Sequence, residues 1–297
     1  MKNTKPKVRL WSVLTGLTAI LTVAAIVGNI IANQYATTIN VALNASTYKI
    51  IHGENTGDTE YFKKGFASDE EREAYEAELC ATVEAEGAAL LKNENNALPL
   101  ASGAKVSLFG HGSVDLMYGG TGSGSVDTSK APNLKQALEA QGITINQTLW
   151  DLYSSDSMMS KYSRLTPASI SDTLEANTQY AVNEAPWSAL SSAESSFAEY
   201  GDAAIVVLSR SGGEGADLPS GENGTSDSWI SGQEGDGNYL ALSAEEIELL
   251  KNLKALKDNG TFKNIVVLIN SSNAIELDFL NPAICGEDYG IDAAMWI

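Results

Sequence analysis

The feature that most constrains this chain is an uncharged, apolar run near its N-terminus. Residues 11–31 read WSVLTGLTAILTVAAIVGNII, 21 residues without Asp, Glu, Lys or Arg. About 20 helical residues span the ~30 Å hydrocarbon layer of a bilayer, so the run predicts a transmembrane helix. A cleaved signal peptide is the alternative, because a basic head also precedes such peptides, although their apolar stretch is usually only ~7–15 residues long.

The charges on either side of this run predict its orientation. Residues 1–10 contain four basic residues and no acidic one, whereas the rest of the chain carries 15 basic and 38 acidic residues, a net charge of −23. Basic flanks favour the cytoplasmic side of a membrane. We therefore expect a cytoplasmic head at 1–10, a single-pass signal-anchor at 11–31 in the cell membrane, and an extracytoplasmic body that is secreted if the segment is cleaved.

The composition excludes several classes of function. A formal net charge of −19 over 297 residues repels phosphate backbones, so nucleic acid is not an expected partner. Two Cys and two His residues do not suffice for a four-Cys zinc site or a disulfide framework, and they leave little for a His-rich metal centre. We expect no metal and no cofactor. Cys80 and Cys285 either pair outside the cell or remain buried thiols.

Beyond a polar spacer at 32–67, with a short strand signal at 47–51, strand and helix signals alternate along the chain. Helical spacing predicts helices at 68–90, at 133–141 and from 243, the first and last of which open with a capping box. Apolar runs predict strands at 105–110, 143–146, 203–209, 265–270 and 293–297, while 147–200 is interpreted as helical with loops. This alternation predicts a right-handed, parallel α/β sheet, with ligands beyond the carboxyl ends of its strands.

Two glycine-rich loops follow predicted strands and therefore belong at that edge. The first loop, residues 110–124, reads GHGSVDLMYGGTGSG. A dinucleotide fingerprint would need glycine where Asp115 stands, and a P-loop would need a lysine that this loop lacks. Its 119–124 segment exposes backbone amides and lets a ligand approach closely. An ordinary surface loop is the alternative.

The second loop, residues 211–238, contains eight glycines in 28 residues. Glu214 lies between glycines directly after a predicted buried strand, so a bulky ligand can approach this carboxyl group. Such a group acts as a general acid when its surroundings keep it protonated. Arg210 and Asp217 are near enough in sequence to orient the loop through an ion pair. The alternatives are a solvated acidic loop and a calcium site, with these candidate ligands: Glu222, Asp227, Glu234 and Asp236.

Several ordered motifs resemble the second domain of glycoside hydrolase family 3. In chain order they are EGAALLKNENNALPL at 86–100, GGTGSG at 119–124, GDAAIVVLSR at 201–210, GEGADL at 213–218 and the strand at 265–271. The similarity covers residues 68–297. It implies a mainly parallel, six-stranded α/β sandwich, here preceded by the transmembrane helix, in a β-glucosidase-like glycoside hydrolase.

The resemblance also implies roles for individual residues. In family members with an Arg-x-x-Gly-Glu-Gly-x-Asp segment, its Glu is the catalytic acid/base, and this position is Glu214 here. The family usually has Arg where Leu218 stands. The 119–124 segment resembles a loop that borders the sugar site. The implied substrate-binding residues are Gly120, Thr121, Gly122, Ser123, Arg210 and Asp217.

The family hydrolyses terminal β-glycosidic bonds with retention, through an Asp nucleophile on a separate (β/α)8 barrel. That Asp lies in a segment like Ser-Asp-Trp, which this sequence does not contain. We therefore expect a domain truncated at its C-terminal end, from a parent chain with reversed domain order whose barrel would follow Ile297. Such a fragment would be inactive alone, and its substrate in the parent enzyme would be an oligosaccharide or β-glycoside. A non-catalytic, membrane-anchored glycan-binding module is the alternative.

Overall fold

The computed structural model describes residues 5–43, 45, 65–120, 122–124, 126–166, 180–213 and 239–297. The chain divides into two compact units, Met1–Asp69 and Glu70–Ile297. The second unit begins within two residues of the start predicted for the α/β domain, residue 68.

The first unit contains the apolar helix that the sequence predicts. Helix α1 covers Lys5–Gln34, and a shorter helix α2 covers Ala36–Ala42. Within α1, Leu10–Gln34 has a mean hydropathy of 2.1 and is long and apolar enough to cross a bilayer, by length and composition alone. The hydroxyls of Thr18 and Thr22 donate to carbonyls one turn earlier, so the helix satisfies them itself. The helix is confirmed, whereas its insertion as an anchor stays a prediction.

Part of the predicted spacer at 32–67 is helical, because α2 lies within it. The short strand predicted at 47–51 lies outside the described residues. The two cysteines, Cys80 and Cys285, are free thiols in the structure, and neither is buried as expected of unpaired thiols, because Cys80 is exposed and Cys285 is only partly buried.

The second unit is built on one six-stranded sheet with the strand order β1-β6-β5-β4-β2-β3. The strands are β1 Ala89–Asn93, β2 Lys105–Phe109, β3 Thr144–Ile145, β4 Ala203–Arg210, β5 Ile265–Ser271 and β6 Ala293–Trp296. All neighbouring strands pair in parallel except β1, which runs antiparallel to β6. The predicted six-stranded α/β class is confirmed, and the sheet is mixed because of β1.

One element boundary was wrong in the sequence analysis. The helix expected at 68–90 ends at Gly87, and Leu90 lies in β1. Glycine is among the poorest helix formers, and the main chain beyond it pairs with β6, where Leu90 is opposite Met295. Helical spacing alone could not distinguish this strand from one more helical turn, because the apolar residues fit both.

The helices described in the second unit lie in regions predicted to be helical, except the last one, which sequence analysis did not predict. They are α3 Asp69–Gly87, α4 Leu134–Ala140, α5 Gln147–Tyr153, α6 Asp156–Tyr162, α7 Ala244–Asp258 and α8 Pro282–Cys285. The capping box predicted for α7 is present, since Ser243 accepts from the Glu246 amide while the Glu246 side chain accepts from the Ser243 amide. Within the region 147–200, α5 and α6 are followed by two 3-10 turns, and 167–179 lies outside the described residues.

Strand β4 joins two hydrophobic clusters on opposite faces of the sheet. All eight of its residues are buried, as expected of a parallel strand covered on both sides. Val206 and Leu208 pack on one face with α5 and α7, while Ile205 and Val207 pack on the other with α4. Successive side chains of a strand point to opposite faces, so a continuous apolar run is what this position requires.

The first cluster contains an aromatic group whose truncation should be costly. Phe109 is fully buried, with its ring centroid 5.2 Å from that of Phe197 and 5.7 Å from that of Phe262. We expect Phe109→Ala to lower the free energy of unfolding by about 3–5 kcal/mol, because a cavity replaces the ring. Urea denaturation followed by tryptophan fluorescence measures this loss. The control Ile284→Ala, at a side chain that is 69% exposed, should change stability by less than about 0.5 kcal/mol, and equal losses would contradict the packing.

Candidate functional site

Three loops meet at one edge of the sheet. Strands β2, β4 and β5 run parallel and end at Phe109, Arg210 and Ser271, so the segments that follow them emerge at the same edge. The first loop follows β2 and the second follows β4, as the sequence analysis predicts. The short segment after β5 is the third, and sequence analysis did not assign it a role.

The first loop is fixed to the end of β5 by the side chain of Asn270. Its Oδ1 accepts from the Met117 amide at 2.6 Å, and its Nδ2 donates to the Met117 carbonyl at 3.0 Å. Asn270 is only 8% exposed, so these bonds satisfy an amide that would otherwise be costly to bury. Sequence analysis placed Asn270 in the strand and missed this role, although a polar residue closing a buried apolar run was the available signal.

Asp115 binds an arginine from outside its own loop. Its Oδ2 lies 3.2 Å from Nη2 of Arg164, and Nη1 of Arg164 donates to the Asp115 carbonyl and to Oγ of Ser209, the latter at 3.2 Å. Asp115 occupies the position that ruled out a dinucleotide fingerprint. The structure gives this carboxylate a partner in Arg164, which ties the first loop to the end of β4.

An open cavity of about 440 Å³ lies beside the first loop. Asp115, Tyr118, Gly120 and Arg164 are among the residues that line it. The Tyr118 hydroxyl donates to the Pro132 carbonyl at 2.8 Å. Burial, with a smaller effect from the Asp115 carboxylate, raises the pKa of Tyr118, so this phenol stays neutral and able to donate. The cavity thus combines an aromatic ring with charged and hydrogen-bonding groups.

The two glycine-rich loops touch at Gly120 and Gly212. A Cβ atom added to Gly120 would stand 2.9 Å from the Gly212 carbonyl oxygen, and one added to Gly212 would overlap the side chain of Asn273. The Gly212 carbonyl also accepts from the Ser272 hydroxyl at 3.1 Å. The neighbouring main chain at Gly120 and the Asn273 side chain at Gly212 leave no room for a Cβ atom, which explains why both positions are glycine.

The predicted substrate-binding residues of the first loop are partly described. Gly120 lies at the contact between the loops, and Gly122 and Ser123 form an exposed 3-10 turn at Gly122–Gly124. Thr121 lies outside the described residues. In the second loop the description reaches Gly213, and both Glu214 and Asp217 lie outside it. Their roles stay predictions.

Arg210 is buried, and this corrects its expected role as a substrate contact. Its guanidinium pairs with Glu246 through two bonds of 2.8 and 2.7 Å. The remaining donors bind the carbonyls of Tyr239 at 2.8 Å, Ala241 at 2.7 Å and Ser209 at 3.0 Å. All five N–H groups are therefore used within the domain. Among the described residues Glu246 is the ion-pair partner of Arg210, and the pair expected with Asp217 lies outside them.

Tyr239 lies at the far end of the second loop and binds back to its beginning. Its side chain is 1% exposed, and its hydroxyl donates to the Ser211 carbonyl at 3.0 Å. Burial raises the pKa of Tyr239 to about 12, although the nearby Arg210 charge acts in the opposite direction. The phenol therefore stays protonated at neutral pH and keeps its role as donor.

A buried acid–histidine pair lies under the start of the first loop. The Glu184 carboxylate is 3.0 Å from His111 Nδ1, and it accepts from the His111 amide at 2.9 Å and from the Ala185 amide at 2.9 Å. Both side chains are almost fully buried, and His111 Nε2 has no hydrogen-bond partner among the described residues. Sequence analysis did not identify Glu184, because nothing in its local sequence indicates a partner so far along the chain.

Known proteins resemble the second unit in sequence and in fold. The family model of the glycosyl hydrolase family 3 C-terminal domain matches residues 88–296. β-Glucosidase A from Butyrivibrio fibrisolvens is 29% identical over 216 residues, 67% of this chain and 23% of that protein. A β-glucosidase from Paenibacillus barengoltzii is similar over 74% of this chain and 21% of its own, with a TM-score of 0.53 and 25% identity. β-Glucosidase 3B from Thermotoga neapolitana, solved with glucose, shares the fold over 76% of this chain and 27% of its own, with a TM-score of 0.51 and 22% identity.

These relatives are much longer than this chain. It spans between a fifth and just over a quarter of their lengths. The match is confined to one domain, which is the compact unit built on the six-stranded sheet.

The contact between the two loops predicts unequal effects of two glycine substitutions. Gly120→Ala would place a Cβ atom 2.9 Å from a main-chain oxygen, whereas Gly124→Ala would meet nothing within 4 Å. We expect the first substitution to lower the free energy of unfolding by about 1–3 kcal/mol, because backbone must shift to admit the methyl group. Urea denaturation of both variants tests this, and equal stability of the two would show that the loops do not meet at Gly120.

The buried Tyr239 predicts a loss of stability at high pH. Its pKa is raised from 10.0 to about 12 in the folded state, so its contribution is complete below pH 10 and is lost as the pH rises towards 12. Between pH 9 and 11.5 we expect the free energy of unfolding to fall about 2 kcal/mol further in the unsubstituted chain than in Tyr239→Phe. Urea denaturation at both pH values gives this difference, and parallel losses would contradict the burial of the phenol.

Proposed function

The chain belongs to glycosyl hydrolase family 3, and from that membership we propose that it supplies the acid/base side of a retaining β-glycosidase. One observation carries the proposal. Two glycine-rich loops from the carboxyl ends of β2 and β4 meet at Gly120 and Gly212, and Gly212 is two residues before Glu214 in the chain. Ligands of parallel α/β sheets bind beyond this edge.

We propose that Glu214 is the general acid/base. In the first step an Asp carboxylate attacks the anomeric carbon of the substrate while protonated Glu214 donates its proton to the departing glycosidic oxygen. In the second step the Glu214 carboxylate takes a proton from a water molecule, and that water releases the sugar from the covalent intermediate. Retention by this double displacement requires the two carboxyl groups to lie about 5–5.5 Å apart.

The first loop is proposed to border the sugar. Glycine-rich main chain brings amide donors close to a ligand without side-chain bulk, and sugar hydroxyls accept from such donors. The residues proposed for this role are Gly120, Thr121, Gly122 and Ser123, with Asp217 from the second loop. Arg210 is left out, since the domain uses all five of its donors.

The nucleophile is proposed to come from a (β/α)8 barrel domain of the same parent chain, in reversed order. The chain spans only 23% of β-glucosidase A and matches it through the sandwich domain, which supports a partner domain elsewhere in the protein. The substrate class is accordingly a β-glycoside or an oligosaccharide with a terminal β-linked sugar.

The location proposed for this domain is the extracytoplasmic side of the cell membrane. Helix α1 has the length and hydropathy of a membrane span, and the four basic residues precede its apolar part. A cleaved signal sequence would give a secreted domain instead. Both alternatives place the acidic body outside the cytoplasm.

A glycan-binding module without catalysis is the second candidate, and the cavity beside the first loop favours it. Its Tyr118 ring and its Asp115 and Arg164 side chains are the kinds of group that stack on sugar rings and bind their hydroxyls. Such a module would bind oligosaccharide without turning it over.

The acid/base assignment predicts a specific loss of turnover. Expressed from its complete open reading frame, the Glu214→Gln variant should hydrolyse phenyl β-glucosides about 10²–10⁴-fold more slowly, because general acid catalysis is lost. Glu222→Gln, in the same glycine-rich segment, is the matched control and should retain full activity. In Glu214→Ala, added azide should restore turnover of 2,4-dinitrophenyl β-glucoside, whose leaving group needs no proton, and give a glycosyl azide. Unchanged hydrolysis by Glu214→Gln would overturn the assignment.

A further inference from the structure

We propose that Arg210 and Glu246 form a positioning clamp that holds together both ends of the loop carrying Glu214. This inference rests on the proposed function, which makes Glu214 the acid/base. Arg210 is the last residue of β4 and directly precedes the second loop, 211–238, while Tyr239 and Ala241 directly follow it. The guanidinium of Arg210 therefore contacts the chain both before and after this loop.

The clamp closes across the two ends of the loop. From its place before the loop, Arg210 donates through Nε to the Tyr239 carbonyl at 2.8 Å and through Nη2 to the Ala241 carbonyl at 2.7 Å. These carbonyls belong to the chain as it leaves the loop. A planar guanidinium with a fixed fork of donors can bind two carbonyls and a carboxylate at once, which a lysine ammonium cannot do in the same geometry.

Glu246 anchors the clamp to a rigid element. It lies in the first turn of α7, pairs with Arg210 through both oxygens, and accepts from the Ser243 amide at 2.8 Å. The arginine and glutamate side chains are 0% and 1% exposed, so water does not compete for their hydrogen bonds. The loop ends are therefore attached both to the sheet and to the N-terminus of a core helix.

A second set of bonds fixes the first residue of the loop. The Ser211 carbonyl accepts from the Tyr239 hydroxyl at 3.0 Å and from Asn273 Nδ2 at 2.6 Å. Glu214 is three residues further along the chain. Its starting point is thus fixed by residues from the loop end and from the segment after β5.

This arrangement matters because chemistry depends strongly on position. Displacing a catalytic group by about 1 Å can cost about 10²-fold in rate. Joining the two ends of a loop lowers its conformational entropy, and Glu214 is only three residues from the end that is fixed at Ser211. The clamp therefore acts on catalysis through Glu214, without touching substrate.

The test replaces the charged pair with apolar side chains. Arg210→Met combined with Glu246→Leu removes both charges together, which leaves no unpaired buried ion, but it also removes the bonds to Tyr239 and Ala241. Arg210→Lys is a milder second variant that keeps the charge with three donors in place of five.

A matched control removes an ion pair at the opposite edge of the sheet. Lys257 of α7 contacts both carboxylate oxygens of Asp292 at 2.6 and 2.7 Å, and Asp292 accepts from the Ile265 amide at the start of β5. The control variant combines Lys257→Met with Asp292→Leu. It is far from the two glycine-rich loops in the fold, so it reports the effect of losing a pair that joins α7 to the sheet.

Two measurements distinguish a loss of Glu214 positioning from a general loss of stability. Both use protein expressed from the complete open reading frame, at a temperature below its melting temperature. Glu214 is also the base of the second step, so the quantity compared is kcat/KM, which reports the first step alone. For phenyl β-glucoside, whose leaving group needs a proton, we expect kcat/KM of the double variant to fall at least tenfold. For 2,4-dinitrophenyl β-glucoside, whose leaving group does not, we expect kcat/KM to fall less than threefold. For Arg210→Lys we expect losses between those of the unsubstituted protein and the double variant. The control variant should lower the rate only slightly, and by the same factor for both substrates.

Amide hydrogen exchange is the second measurement and does not depend on turnover. Exchange at residues 211–213 and 239–241 should become at least tenfold faster in the double variant and stay unchanged in the control. Equal loss for both substrates, or exchange no faster than in the control, would overturn the clamp. If Glu214→Gln keeps full activity, the proposed function fails, and the exchange measurement still decides whether the pair holds the loop ends.

Discussion

The parallel pairing of β4 with both β2 and β5 is the constraint on which the rest of the structure depends. It requires a strand that is apolar on both faces, because helices cover the sheet on each side, and all eight residues of β4 are buried. It also brings the carboxyl ends of three strands to one edge. The glycine-rich loops meet there because the strands before them end side by side, and their contact at Gly120 and Gly212 follows from that geometry.

Polar groups at this edge are buried in pairs, and each pair joins two segments that are distant in sequence. Arg210 and Glu246 connect β4 to α7, and Glu184 connects the segment before β4 to the start of the first loop through His111. A buried charge without a partner costs several kcal/mol, so each pair restricts its two segments to one mutual arrangement. The same pairs give the described parts of both loops a rigid base.

The architecture of the second unit could be predicted from local sequence because its signals are short-ranged. The apolar runs of β2, β4 and β5, the Ser243 capping box and the position of both glycine-rich loops after strands are all properties of a few consecutive residues. Leu90 shows the limit of such signals. Its spacing continues the pattern of α3, and only pairing with β6, some two hundred residues later, makes it part of a strand.

The polar framework of the site could not be predicted in this way, because its partners are separated by long stretches of chain. Asn270 binds Met117 across 153 residues, Glu184 binds His111 across 73, and Glu246 binds Arg210 across 36. Arg210 shows the consequence most clearly. Its place four residues before Glu214 made a substrate contact and an ion pair with nearby Asp217 the natural expectation, yet a substrate contact depends on an exposed side chain. A residue that ends a strand buried on both faces is itself buried, so its charge needed a partner inside the domain, and the capping glutamate of the next helix provides one.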